Sequence, residues 1–122
     1  MNDKKYDLEE RLIDFTVSII RLVESLPNTK TAQYLGGQLL RSGTSPTLNY
    51  AEAKGAESRN DFIHKMKVCL KELRESHTCL KIIHRAAIVV DESLLFHLIT
   101  ECNELISLFV KSIDTASKSK SK

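Results

Sequence analysis

Apolar residues recur along this chain at intervals of three and four, the spacing that lines side chains along one face of an α-helix. Leu8, Leu12, Phe15, Ile19, Leu22 and Leu26 follow spacings of 4, 3, 4, 3 and 4 and predict a first helix ended by Pro27. A strand would need alternation with period two. Ile13 and Ile20 add a second apolar row beside the first. Asn28 or Thr29 can cap a second helix that begins near Lys30.

The core-facing positions of helix two are Ala32, Leu35, Leu39, Ser42, Pro46, Asn49, Ala53 and Ala56. Large apolar side chains give way to small and polar ones halfway along, so a neighbouring backbone is expected to approach closely. Pro46 lacks a backbone donor and clashes with the preceding turn, which predicts a kink over Arg41–Ser45. A complete break into two short helices is the alternative. Gly55 suits a left-handed C-terminal cap, and Ser58, three residues before Asp61, opens helix three with an acidic variant of the capping box.

Helix three has the strongest pattern. Phe62, Met66, Cys69, Leu73, Ser76, Leu80, Ile83 and Ala87 keep the 4, 3 spacing, and Ile63, Leu70, His77 and His84 form a flanking row. After the apolar loop 86–90, Asp91 caps a fourth helix carrying Leu95, Leu98, Cys102, Leu105 and Phe109. Ile99, Ile106 and Ile113 widen its apolar sector beyond what a two-sided seam needs. Four long helices with short connections predict an all-α, up-down-up-down four-helix bundle over residues 1–116. The tail SKSKSK, residues 117–122, is a basic repeat with nothing to bury and is expected to be disordered.

A chain of 122 residues fits one such domain. No uninterrupted apolar run approaches the ~20 residues of a membrane span, and the charged N-terminus lacks the apolar core of a secretory signal. A cytoplasmic protein without membrane attachment is expected. Cys69, Cys79 and Cys102 are odd in number and form no CxxC pair, as for small buried side chains in a reducing compartment.

Catalytic patterns are missing. Asp61-x-x-His64 occurs once, whereas a di-metal bundle site needs Glu-x-x-His on two helices and inward carboxylates on the others. His77 and His84 lie about 10 Å apart along a helix, too far to share one metal ion. Gly36-Gly37 sits inside a helical pattern, without the strand and turn of a nucleotide loop. The chain is therefore read as no enzyme, with no cofactor, no metal and no small-molecule substrate.

Two constellations remain. Ser42 and Asn49 fall on the buried stripe of helix two, with Arg41, Ser45 and Glu52 on adjacent turns and Lys71, Glu72 and Glu75 of helix three as candidate partners. Buried amides and hydroxyls require hydrogen bonds, so this group is either a polar network fixing helix register or a partner contact. The second constellation is a basic stripe. Residues 41–85 hold nine of the 18 basic groups against five of the 16 acidic ones. Lys67, Lys71, Arg74, Lys81 and Arg85 line the outer face of helix three over about 27 Å. Such a track can follow a phosphate backbone, although Glu72 and Glu75 dilute it, Lys71 and Glu75 suit an ordinary exposed pair, and no aromatic residue interleaves for base stacking.

The run QLLRSGTSP…NYAEAKGAESRNDFIHK…KELRES resembles the four-helix-bundle proteins encoded in intervening sequences of bacterial 23S rRNA genes. Accessory proteins of diversity-generating retroelements are relatives of that family. The resemblance spans Asp14 to Leu108 and centres on Arg41, Asn49, Ala51, Glu52, Asp61, Phe62 and Glu72. It implies the bundle fold, a homopentamer, and RNA or a reverse transcriptase as partners. The extra apolar rows at Ile13, Ile20, Ile99, Ile106 and Ile113 point independently to self-association. The expected function is an oligomeric bundle presenting basic surface to nucleic acid or a nucleic-acid-handling protein. The alternative is a structural scaffold or protein–protein adaptor with no nucleic-acid role.

Overall fold

A computed structural model describes residues 7–120. They form four helices, α1 (Leu8–Glu24), α2 (Lys30–Lys54), α3 (Arg59–Arg85) and α4 (Glu92–Lys120), and no strand occurs among the described residues. Successive helices pack on one another through short connections, and α4 returns against α1 to close the up-down-up-down bundle. The α2–α3 seam is the most extensive and the α1–α4 seam the thinnest.

Local chemistry sets the helix starts. The Asp7, Thr29 and Ser58 side chains accept from the backbone N–H groups of Glu10, Ala32 and Asp61 at 2.9, 3.1 and 3.0 Å. Asp91 accepts from the Leu94 N–H at 3.2 Å at the start of α4. Each of these bonds satisfies a donor that a helix start otherwise leaves orphaned.

The helix ends depart from expectation. Gly55 caps α2 with φ −103°, outside the left-handed region. That conformation falls instead on Ala87, with φ 57°, just past the end of α3. There the Ala87 N–H donates to His84 O at 3.1 Å and the Ile88 N–H to Ile83 O at 3.2 Å, the paired bonds of a Schellman motif. Ile88 packs onto the core, and this apolar anchor outweighs the cost of placing a side chain where glycine is preferred.

Helix α2 runs unbroken through the buried Pro46, so the two-helix alternative is excluded. Its buried face is Ala32, Gly36, Leu39, Ser42, Gly43, Pro46 and Ala53. Gly43 lies against Ile19 of α1 so closely that an added Cβ would stand 2.8 Å from Ile19 Cγ2 and 3.3 Å from its Cβ. On α3 the core register begins at the buried Ile63, leaving Phe62, expected at its head, only half-buried. Phe15, Leu39, Leu73, Leu98 and Phe109 are among the large side chains that fill the centre.

Helix α4 extends to Lys120, past the expected end of the bundle at residue 116. Asp114 and Lys118 pair across one turn at 3.1 Å and support the helix there, while residues 121–122 lie outside the described chain. By length and composition alone Glu92–Lys118 of α4 is also apolar enough to cross a membrane, although Glu101 and Glu104 interrupt its apolar run. Its buried side, Leu95, Leu98, Cys102, Leu105 and Phe109, belongs to the bundle core.

Two glycines and the strained alanine generate a prediction for thermal melts. Gly43→Ala should cost about 1–3 kcal/mol, because the β-branched Ile19 cannot swing aside. Gly37→Ala, with nothing within 4 Å of its added Cβ, should stabilise by up to ~1 kcal/mol. Ala87→Gly should stabilise by about 1 kcal/mol through relief of its left-handed conformation. A Gly43→Ala protein as stable as wild type would contradict the close α1–α2 packing.

Candidate functional site

The α2–α3 seam carries buried polar groups that satisfy one another. Ser42 and Ser76 are both fully buried, and Ser76 Oγ donates to Ser42 Oγ at 2.8 Å. Ser42 Oγ turns back to Leu39 O at 3.4 Å. The buried thiols of Cys69 and Cys79 donate to Pro46 O and Leu35 O on α2, at 3.4 and 3.6 Å. On the α4 side Cys102 Sγ donates to Leu73 O at 3.2 Å. All three cysteines are free, and burial pushes the Cys69 and Cys102 thiols up to about 12, leaving them protonated. They pack as small apolar side chains, as their spacing suggested.

Asn49 does not cross the seam. It is half-buried, and its Nδ2 donates to Ser45 O at 2.9 Å and Ser45 Oγ at 3.0 Å, within its own helix. Glu52 instead meets Lys65 at 3.3 Å. The expected network therefore resolves into separate pieces: Ser42 with Ser76, Ser45 with Asn49, Glu52 with Lys65, and Arg41 with two carboxylates.

Arg41 gathers the acids of α3. Its Nη1 donates to Glu72 Oε1 at 2.8 Å and its Nη2 to Glu75 Oε2. The hydrogen bond from Glu72 is the main cause of a raised guanidinium pKa, with Glu75 adding to it. Glu75 is thus turned toward α2 and does not pair with Lys71, as an exposed same-helix pair would have required. Lys67, Lys71, Arg74, Lys81 and Arg85 are all exposed. Among the described residues no carboxylate lies within ion-pair distance of any of the five.

The apolar rows separate into two kinds. Ile99, Ile106 and Ile113 are half-buried and pack against the core, each keeping part of its surface in solvent. Ile13 and Ile20 are each 38% exposed, and Val17 between them and Leu40 on α2 are similarly bare. Beneath this patch Thr16 Oγ1 donates to Gly43 O at 3.0 Å, and Thr47 Oγ1 donates to Leu12 O at 3.1 Å.

Sequence reasoning missed the polar tie across the thin α1–α4 seam. Arg11 donates from Nε and Nη2 to Glu101 at 2.7 and 2.9 Å, and from Nη2 to Glu104 at 2.6 Å. The hydrogen bond to Glu101 chiefly raises the Arg11 pKa, opposed by partial burial. Opposite charges flanking the apolar seams of both helices were the available signal.

The histidines do not assemble into a site. His84 lays its ring edge-to-face with Phe96 at 4.9 Å, and burial lowers the His77 pKa, with Lys81 adding to the effect. No group of three potential metal ligands forms among the described residues.

These features define an all-α bundle with a cationic outer face. Residues 4–111 match the 23S rRNA-intervening sequence protein family, and the chain belongs to that family. The crystal structure of a protein of unknown function from the S23 ribosomal protein family of Bacteroides thetaiotaomicron is similar, with a TM-score of 0.80 and 30% identity. The match covers 88% of this chain and 98% of that one. No curated protein matches the chain.

The buried hydroxyl pair supplies a test of the seam. Ser42→Ala should cost about 1–3 kcal/mol by stranding the Ser76 hydroxyl, Ser76→Ala should cost less because Ser42 keeps Leu39 O, and the double variant should recover much of the first loss. Strictly additive losses in denaturant melts would show that the two hydroxyls are not coupled.

Proposed function

We propose that this protein is a non-enzymatic, self-associating bundle whose α3 outer face engages RNA, directly or together with an RNA-handling protein such as a reverse transcriptase. The observation that carries the reading is the set of five exposed, unpaired cations at Lys67, Lys71, Arg74, Lys81 and Arg85. Arg41 supports it by holding Glu72 and Glu75 against α2, away from the track. The family description, which ties its members to 23S rRNA intervening sequences, supports an RNA setting.

A second reading, a scaffold or adaptor without nucleic acid, is favoured by the exposed Ile13, Val17, Ile20 and Leu40. Exposed apolar side chains of this kind on α1 and α2 are better suited to protein than to phosphate. The two readings share self-association, for which the family resemblance implies a five-fold ring. In light scattering at micromolar concentration the protein should exceed its 13.8 kDa monomer mass, and Ile13→Glu with Ile20→Glu should reduce it. A wild-type monomer would refute self-association.

Filter binding to RNA from low to physiological salt tests the nucleic-acid role. Replacing the five cations by Gln should leave the fold intact and lower affinity, flattening the salt slope by ~0.7–0.9 per lost phosphate contact. A chain truncated after Ala116 controls for the lysines that follow it. Absence of RNA binding at low salt would leave the adaptor reading in its place.

A further inference from the structure

A shallow groove between α3 and α4 brings apolar side chains beside part of the basic track. Leu70, Val110 and Ile113 form its floor, Lys67 and Arg74 one lip, and Asp114 and Ser117 the other. Lys67 and Arg74 stand two helical turns apart on α3, with Leu70 between them in the same register. Val110 is 43% exposed, so apolar surface lies open to solvent next to two unpaired cations.

We infer that this groove holds an unstacked base of a single strand, making the RNA ligand single-stranded rather than duplex. The inference rests on the RNA-facing reading of α3. Its charge asymmetry sets the orientation. Lys67 and Arg74 attract phosphate to the α3 lip, whereas on the α4 lip Asp114 is paired with Lys118 at 3.1 Å and the pair carries no net charge. A strand tracking along α3 therefore has its sugar-phosphate chain on one side and its base directed over the floor. Leu70, Val110 and Ile113 can cover the face of that base, the surface lost from water when a base stacks. A duplex cannot use this floor, because its bases are already stacked and paired and it offers only backbone and groove edges. An acidic protein helix would also be drawn to the cationic lip but would set carboxylates near Asp114.

The experiment compares an unstructured RNA strand with its own duplex, using the full-length protein and fluorescence anisotropy at low salt. The single strand should bind more tightly than the duplex. Val110→Ser should weaken single-strand binding roughly fourfold, about the worth of one methylene withdrawn from water, and leave duplex binding unchanged. Val110→Tyr, which adds an aromatic face, should tighten single-strand binding alone. Val110 is a solvent-facing position, so melts of both variants should match wild type. Unchanged single-strand affinity in both variants overturns the groove. If Lys71→Gln with Lys81→Gln and Arg85→Gln then weakens both RNA forms, the RNA-facing reading survives without it. A wild type that binds neither form overturns both.

Discussion

Helix α2 can sit close to two neighbours at once because so much of its buried face is small. Ala32, Gly36, Ser42, Gly43 and Ala53 leave little side chain between its backbone and the adjoining helices. Toward α1, Ile19 fills the space that a side chain at Gly43 would occupy. Toward α3, the approach is short enough for two serine hydroxyls to meet at 2.8 Å and for two thiols to reach backbone carbonyls. Burying Ser42 and Ser76 is tolerable only because each completes the other, so the close approach and the polar pairing depend on one another. The same geometry makes the α2–α3 seam the broadest contact in the bundle.

That approach also shapes the outer surface. Arg41 precedes the buried Ser42 by one position and emerges at the edge of the seam, where Glu72 and Glu75 come within reach. On an isolated helix Glu75 would lie a turn from Lys71 and mute the basic stripe, with Glu72 beside it. In the bundle they are drawn across to α2. An exposed ion pair of this kind adds little to folding, so its main consequence is electrostatic. It clears negative charge from beside the track, and α2 packing thereby determines the field that α3 presents.

The heptads of the sequence were enough to place all four helices, and capping residues marked the starts of α2, α3 and α4, because both signals are local. Single-helix logic reached its limit where partners come from elsewhere in the chain. Asn49 was read as a bridge from its place on the buried stripe, but its amide found Ser45 one turn away. Glu72 and Glu75 were read both as candidate partners of the α2 polar group and as diluting the stripe, and only the packing of α2 on α3 decides between the two. For the three α4 isoleucines periodicity gives a face but not how deeply each side chain sits, and all three prove half-buried against the core. The left-handed cap fell on Ala87, where the anchoring of Ile88 outweighed local preference.

The distribution of ion pairs explains how a chain with a net charge of only +2 can carry a strongly cationic face. Among the described residues, Glu9, Glu52, Glu72, Glu75, Glu101, Glu104 and Asp114 are paired with Arg11, Arg41, Lys54, Lys65 and Lys118. None of these cations belongs to the α3 track. The pairing thus consumes acids at helix seams and leaves bases unpaired on one outer face. At physiological salt, charges separated by more than about 8 Å are largely screened from one another. A phosphate approaching α3 therefore responds to the local excess around Lys67–Arg85, and the near-neutral total has little bearing on it. Self-association would bring several such faces into one assembly, and its geometry would decide whether they act as separate tracks or as one continuous surface.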